Sequence, residues 1–162
     1  MQDPADEFAQ VADEIARRLT AAGMTVAAAE SLSSGGLTNA LGAAPEASDW
    51  LRGGVVAYAE EVKRELLGVK ASSVTSAECA REMAEGVARL LGADAAIAVT
   101  GVGGPEPADG EPAGTVFAAV TLHGETRDQR FQFDGDPAQV VHQTVGAALA
   151  MLRDALPHRG AP

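Results

Sequence analysis

The chain has 162 residues, with 23 acidic against 12 basic residues and a formal net charge of −11. The length predicts one domain with its own core, and the negative charge disfavours nucleic acid or anionic membrane surfaces as partners. Cys79 is the only cysteine in the sequence, which excludes a disulfide framework and a cysteine metal cluster.

The sequence also lacks the signals of membrane insertion and export. It contains no run of about 18 uninterrupted apolar residues, the length that spans a bilayer. The acidic segment 1–10 does not have the basic-then-apolar order of a secretory signal peptide. We therefore expect a soluble, cytoplasmic protein with no membrane partner.

The first half of the chain alternates helical and strand patterns. Range 5–22 repeats apolar residues at spacings of three and four, which predicts an amphipathic helix ending at Gly23. Five elements are predicted after it: a buried strand over 25–30, a short helix over 36–41, a loop over 42–51, a second strand over 53–59 and a helix over 60–67 that Gly68 ends.

The second half begins with the clearest helix, over 76–91, which Ser76 caps. The elements predicted after it are a strand over 94–100, a Gly- and Pro-rich loop over 101–114, a hairpin of strands over 115–122 and 125–133, and a last helix over 136–156. Strands that alternate with helices, together with one hairpin, predict an α/β sandwich with a mixed, mostly parallel sheet.

Two glycine-rich loops follow predicted strands. The first is "ESLSSGGL" (30–37) and the second is "TGVGGP" (100–105). Ligands of open α/β sheets bind at the carboxyl ends of strands, where glycines allow close approach and free N–H groups attract anions. The alternative is that both loops are tight turns. Neither has a phosphate-loop or dinucleotide-binding pattern, so a kinase or a dinucleotide enzyme is not supported.

A second informative segment carries the only tyrosine, Tyr58, and one of two lysines, Lys63. Lys63 is expected in the first turn of a helix, where the positive helix end and partial burial lower the pKa of a lysine. A deprotonated lysine can serve a serine as general base. The residues alone favour a plainer alternative, a solvated lysine that pairs with Glu60.

The sequence contains no pattern typical of a histidine-based catalytic triad or of a metal site. His123 lies in a predicted turn, His142 in the last helix and His158 in the tail, so no Ser–His–Asp triad is indicated. No group of histidines, cysteines or carboxylates has the spacing of metal ligands, and we predict neither a metal nor a cofactor.

The quoted motifs, in their order, resemble the CinA C-terminal domain family over about residues 8–156. The segments that carry the likeness are "AESLSSGGL", "GGVVAYAEEVKRELLGV", "TSAECAREMAEGVARLLGAD", "AVTGVGGP" and "EPAGTVF". Stand-alone members are nicotinamide-nucleotide amidohydrolases, also called NMN deamidases. The resemblance implies a single domain with a three-layer α/β/α fold, hydrolysis of nicotinamide mononucleotide (NMN) to nicotinate mononucleotide and ammonia, no metal, and a homo-oligomer.

The resemblance also implies roles for individual residues. It makes Ser31 the nucleophile, Lys63 the base and Tyr58 the helper of the base, which displaces the solvated interpretation of Lys63. The implied substrate-binding residues are Glu30, Ser33, Ser34, Gly35, Thr100, Gly101, Gly103 and Gly104. Since neither loop contains lysine or arginine, we predict that backbone N–H groups of both loops hold the substrate phosphate.

Two departures from the family pattern leave a second function open. Ser34 replaces a family glycine, and an arginine expected early in the last helix is absent, with Val140, Val141 and His142 around its place. The alternative to an active hydrolase is therefore a weakly active or inactive nucleotide-binding domain with a regulatory role.

Overall fold

The computed structural model describes residues 7–158, and the start of the helix predicted over 5–22 lies outside them. In chain order the elements are α1 (Ala9–Ala22), β1 (Val26–Glu30), α2 (Gly36–Gly42), α3 (Ala47–Trp50), β2 (Leu51–Val56), α4 (Glu60–Leu67), α5 (Ala77–Leu91), β3 (Ala95–Gly101), β4 (Thr115–Leu122), β5 (Glu125–Gln132) and α6 (Pro137–Ala155). Among the described residues, no helix combines the length and the apolar character that crossing a bilayer requires.

The five strands form one sheet in the order β2-β1-β3-β4-β5. Strand β1 pairs in parallel with β2 and with β3, whereas β4 is antiparallel to both of its neighbours. Four strands therefore run in one direction and only β4 opposes them. The prediction of a mixed, mostly parallel sheet is confirmed.

Helices cover both faces of the sheet, and each face has its own core. Successive side chains of β1 point to opposite faces, so Val26 and Ala28 join one core while Ala27 and Ala29 join the other. Helices α1, α2 and α6 close the first core and α5 closes the second. Every residue of β1 is buried for this reason, as expected for a strand inside a three-layer α/β/α sandwich.

Local signals account for most of the element ends. Gly23 and Gly68 end their helices in the left-handed conformation, with φ of 63° and 73°. Ser76 caps α5 by accepting a hydrogen bond from the Cys79 amide, and Asp136 caps α6 with a reciprocal capping box. The predicted hairpin is confirmed, because β4 and β5 pair on either side of His123-Gly124.

The segment 42–51 differs from its predicted loop. It contains the short helix α3, and the Trp50 side chain is 2% exposed, with its indole N–H donating to the Pro45 carbonyl at 3.0 Å. Strand β2 then starts at Leu51 and stops at Val56, earlier than predicted, because its pairing with β1 fixes both ends. Tyr58 consequently lies beyond the strand.

Candidate active site

A cleft of about 280 Å³ lies where the parallel strands β1 and β3 end. Since both strands point the same way, the two glycine-rich loops leave the sheet at the same edge. Seven of the eleven predicted catalytic and substrate-binding residues line this cleft: Ser31, Tyr58, Lys63, Thr100, Gly101, Gly103 and Gly104. Glu30, Ser33, Ser34 and Gly35 do not line it.

Lys63 is a buried lysine, with 3% of its surface exposed. Its ammonium nitrogen Nζ donates a hydrogen bond to the backbone carbonyl of Tyr58 at 3.1 Å. None of the ion pairs within residues 7–158 includes Lys63, and Glu60 pairs instead with Arg64 at 2.8 Å. The alternative of a solvated lysine that pairs with Glu60 is therefore wrong.

The surroundings of Lys63 favour its neutral form. Burial lowers the pKa of Lys63 below its ordinary value, and Cys79, Asp109 and Glu60 oppose this with smaller influences that raise it. Burial also raises the pKa of the Cys79 thiol to about 11, so this neighbour is uncharged at neutral pH. An amine that is poorly solvated and lacks a carboxylate partner releases its proton more readily than a surface lysine.

Ser31 is the first residue after β1, and its side chain reaches the cleft that Lys63 lines. Its carbonyl accepts a hydrogen bond from the Ser34 amide at 3.1 Å, which closes a tight turn. The residue is 7% exposed, and its hydroxyl makes no hydrogen bond within the described part of the chain. The hydroxyl is thus available to a ligand bound in the cleft.

The second loop combines a packing glycine with two free amides. A Cβ on Gly101 would lie 2.5 Å from the Thr115 carbonyl oxygen, so the close approach of β4 requires glycine there. The amides of Gly103 and Gly104 donate no hydrogen bond among the described residues. Because both glycines line the cleft, their N–H groups can bind an anion or a developing oxyanion.

Glu30 has a structural position rather than a place in the cleft. Its carboxylate is completely buried and accepts hydrogen bonds from the amides of Gly35 at 3.1 Å, Leu37 at 2.8 Å and Thr38 at 2.8 Å. The Thr38 hydroxyl donates to it as well. The N-terminus of α2 is therefore capped by the last residue of β1, which holds the Ser31 turn against the sheet.

This cap occupies several of the amides of the first glycine-rich loop. The amides of Gly35, Leu37 and Thr38 bind Glu30, and those of Ser34 and Gly36 bind backbone carbonyls of the turn. The amides of Leu32 and Ser33, in the same loop, donate no hydrogen bond among the described residues. The prediction that both loops hold the phosphate stays a prediction, and in the first loop these two amides are the ones left for it.

Ser33 and Ser34 have different environments in the turn after β1. The Ser33 hydroxyl oxygen is buried and lacks a hydrogen-bond partner within residues 7–158. Ser34 is exposed and has φ of 50°, while Gly35 has φ of 99°. A glycine at position 34 is favoured because the turn needs a left-handed backbone there.

The cleft contains residues that the sequence did not single out. The Thr75 hydroxyl donates to the Asp109 carboxylate at 2.8 Å, and the Thr100 hydroxyl donates to the Val74 carbonyl at 2.6 Å. These bonds tie the segment before α5 to the end of β3 and to loop 101–114. Asp109 carried no motif signal, because only the folded loop brings it to Thr75.

We expect Glu30→Ala to lower the free energy of unfolding by about 3 kcal/mol or more, since three buried or part-buried amides lose their acceptor. Urea unfolding followed by circular dichroism measures the loss. Glu30→Gln should lower the free energy of unfolding by an intermediate amount. Its side-chain amide keeps one acceptor oxygen but turns its own N–H groups toward the backbone N–H donors of α2. Glu65→Ala is the matched control on an exposed carboxylate of α4 and should stay within about 0.5 kcal/mol of the wild type. A loss below about 1 kcal/mol for Glu30→Ala would contradict the capping role.

Comparisons with known proteins agree with this architecture. A family model described as CinA C-terminal domain matches residues 8–156. A protein of Desulforamulus reducens whose name describes it as competence-damage inducible is 37% identical over 154 residues, which are 92% of this chain and 38% of that protein. The chain thus spans well under half the length of this relative.

Two solved structures share the fold over nearly their full length. The competence damage-inducible protein A (ComA) of Klebsiella pneumoniae is 38% identical, with a TM-score of 0.87 over 95% of this chain and 97% of that one. A competence-damaged protein (CinA) superfamily protein of Enterobacter cloacae is 33% identical, with a TM-score of 0.90 over 93% and 92% of the two chains. Both likenesses confirm the α/β fold.

Proposed function

The chain belongs to the CinA C-terminal domain family, and from this premise we propose that it is an amidohydrolase that deamidates nicotinamide mononucleotide. The products are nicotinate mononucleotide and ammonia, and the place of the reaction is salvage of pyridine nucleotides. The observation that carries the proposal is a buried lysine without an ion-pair partner, Lys63, in the same cleft as the free hydroxyl of Ser31.

In the proposed mechanism Ser31 forms a covalent intermediate. Its Oγ attacks the carboxamide carbon while the hydroxyl proton passes to the neutral Nζ of Lys63. The N–H groups of Gly103 and Gly104 stabilise the oxyanion of the tetrahedral intermediate. The C–N bond then breaks as the nitrogen takes a proton from Lys63, and ammonia leaves an ester on Ser31. Water attacks this ester, with Lys63 again as base, and releases the carboxylate product.

The contact between Lys63 and Tyr58 suits this cycle. A backbone carbonyl accepts a hydrogen bond from a neutral amine as well as from an ammonium group, so it orients Nζ in both protonation states. The lone pair of the neutral amine is left for the Ser31 proton. The Tyr58 side chain is 70% exposed at the cleft, where its phenol can relay a proton toward the leaving nitrogen.

The second candidate is a nucleotide-binding domain that has lost efficient chemistry. It is motivated by Val141, which lines the cleft near the place where the family pattern led us to expect an arginine. The buried position of Lys63 supports the enzyme instead, because a purely binding domain gains nothing from a desolvated amine.

Ammonia release from NMN by the purified chain tests the proposal. A coupled glutamate dehydrogenase assay should show turnover that Ser31→Ala, purified in the same way, lacks. Calorimetric binding of NMN without any ammonia release would favour the binding domain over the enzyme.

The homo-oligomer and the cytoplasmic location stay predictions. Exposed apolar side chains at Val56, Val62 and Leu66 supply a candidate contact surface between copies, on β2 and α4. Light scattering coupled to size exclusion measures the mass of the assembly against the 16.5 kDa of one chain.

A further inference from the structure

A second cavity, of about 430 Å³, lies among α1, α2 and the start of α6. It is larger than the cleft of about 280 Å³ at the ends of β1 and β3, and Val141 is the one described residue that lines both. Seven of its thirteen lining residues are alanine or glycine, so the three helices present short side chains to it. Because protein interiors are otherwise densely packed, a cavity of this size has room for a small molecule.

Two aromatic rings form one wall of the cavity. The rings of Phe8 and His142 lie with their centroids 4.9 Å apart and their planes inclined by 38°. The Nε2 atom of His142 is 2.7 Å from a carboxylate oxygen of Glu7, and this contact ties the residue before Phe8 to α6. The wall is therefore held in place, and it offers ring surface to an apolar or aromatic ligand.

The charge at the cavity comes from Asp13. It is the only acidic residue that lines the cavity within the described part of the chain, and neither lysine nor arginine lines it there. The Asp13 side chain is half-buried, and its carboxylate makes no ion pair among residues 7–158. Arg17, one turn further along α1, pairs with Glu14 at 2.6 Å instead. An unpaired carboxylate beside apolar surface attracts a cation and repels an anion.

We infer that this cavity is a second ligand site, which takes a small primary amine with an aromatic or aliphatic body. The ammonium group pairs with Asp13, while the body packs against the alanines and the Phe8 ring. The inference goes beyond the proposed amidohydrolase function and does not depend on it. Since Val141 lines both the cavity and the cleft, a ligand bound in the cavity is placed to influence the cleft.

Isothermal titration calorimetry on the full chain near neutral pH tests the inference, with 2-phenylethylamine as the probe. We expect a Kd below about 1 mM for this amine and an affinity at least about tenfold lower for phenylacetate, which has a similar size and the opposite charge. Weaker binding of the amine than this, or equal binding of the two probes, would overturn the inference.

Three variants locate the bound amine. Asp13→Asn keeps the shape of the side chain but removes its charge, and it should weaken amine binding by about tenfold or more. Ala40→Leu and Ala138→Leu extend a larger side chain into the cavity from α2 and from α6, and each should weaken binding by at least as much. Ala22→Leu is the matched control, because Ala22 is exposed and does not line the cavity, and it should bind as the wild type does.

Circular dichroism checks the fold of each variant. Because the two leucines enter from different helices, misfolding of one variant leaves the other to decide. Unchanged affinity in Asp13→Asn and in the folded leucine variants would place the amine elsewhere on the protein and refute the site. A second copy of the chain is the competing occupant. Light scattering would then show a dimer that Ala40→Leu or Ala138→Leu dissociates, and this result would also overturn the inference.

Discussion

Ser31→Ala is expected to reduce kcat for NMN by roughly 10⁴-fold or more, because a nucleophile and its base act as one unit. The substitution removes the only atom of Ser31 that the proposed mechanism uses. The hydroxyl makes no hydrogen bond among residues 7–158, so its removal should cost little stability. Steady-state ammonia release gives the change in kcat, and thermal unfolding checks the fold.

The matched control for this variant is Ser48→Ala. Ser48 is exposed on α3, away from the cleft residues, and its substitution should leave kcat and KM at wild-type values. Calorimetry should show that Ser31→Ala still binds NMN with near wild-type affinity. A Ser31→Ala protein with kcat within tenfold of the wild type would rule out Ser31 as the nucleophile.

The fold could be predicted because its signals are local. Glycines that end helices, such as Gly68, and polar caps, such as Ser76 and Asp136, mark the boundaries of elements whose apolar periodicity is already clear. The prediction of a loop over 42–51 is wrong for the opposite reason, because the structure of this segment depends on distant residues. Its short helix contains Trp50, whose burial in the first core depends on distant parts of the chain, including α1.

The site was predictable only where a motif carried it. Ser31 follows a strand and precedes a helix, so local reasoning placed it at the right edge of the sheet. The role of Glu30 needs the knowledge that α2 returns its amides onto the end of β1. Asp109 lies at the cleft, where it accepts a hydrogen bond from Thr75. The two residues are far apart in the sequence, so no local pattern predicts this contact.

The burial of Lys63 shows the same limit. The sequence predicts the helix of Lys63 and gives the number of residues between Lys63 and Ser31. The residues alone nevertheless favour a solvated lysine. Burial of the side chain in the folded cleft lowers the pKa of Lys63, while Cys79 of α5 and Asp109 of loop 101–114, both distant in sequence, oppose that shift. The pKa of this lysine is therefore a property of the tertiary structure.

Lys63→Arg is expected to lose nearly all kcat, by roughly 10³-fold or more, because a guanidinium group keeps its proton at any accessible pH and cannot act as base. Lys70→Arg is the matched control. Lys70 is the other lysine of the sequence and is exposed, so its substitution should leave kcat unchanged. Lys63→Met, of similar length and without charge, should remain folded and also be inactive, which separates loss of the base from loss of the fold.

The pH dependence of the wild-type kcat/KM is a second test of Lys63 as the base. The base is active when neutral, and burial lowers the pKa of Lys63, so kcat/KM should rise with pH along a limb that lies below the free lysine value of about 10.4. Neutralising Asp109 removes an influence that raises this pKa, so Asp109→Asn should shift the limb to lower pH. The opposite result would be a Lys63→Arg enzyme that retains most of its kcat and whose kcat/KM rises with pH over the same range as in the wild type. Lys63 would then be an electrostatic anchor, and another group would have to accept the Ser31 proton.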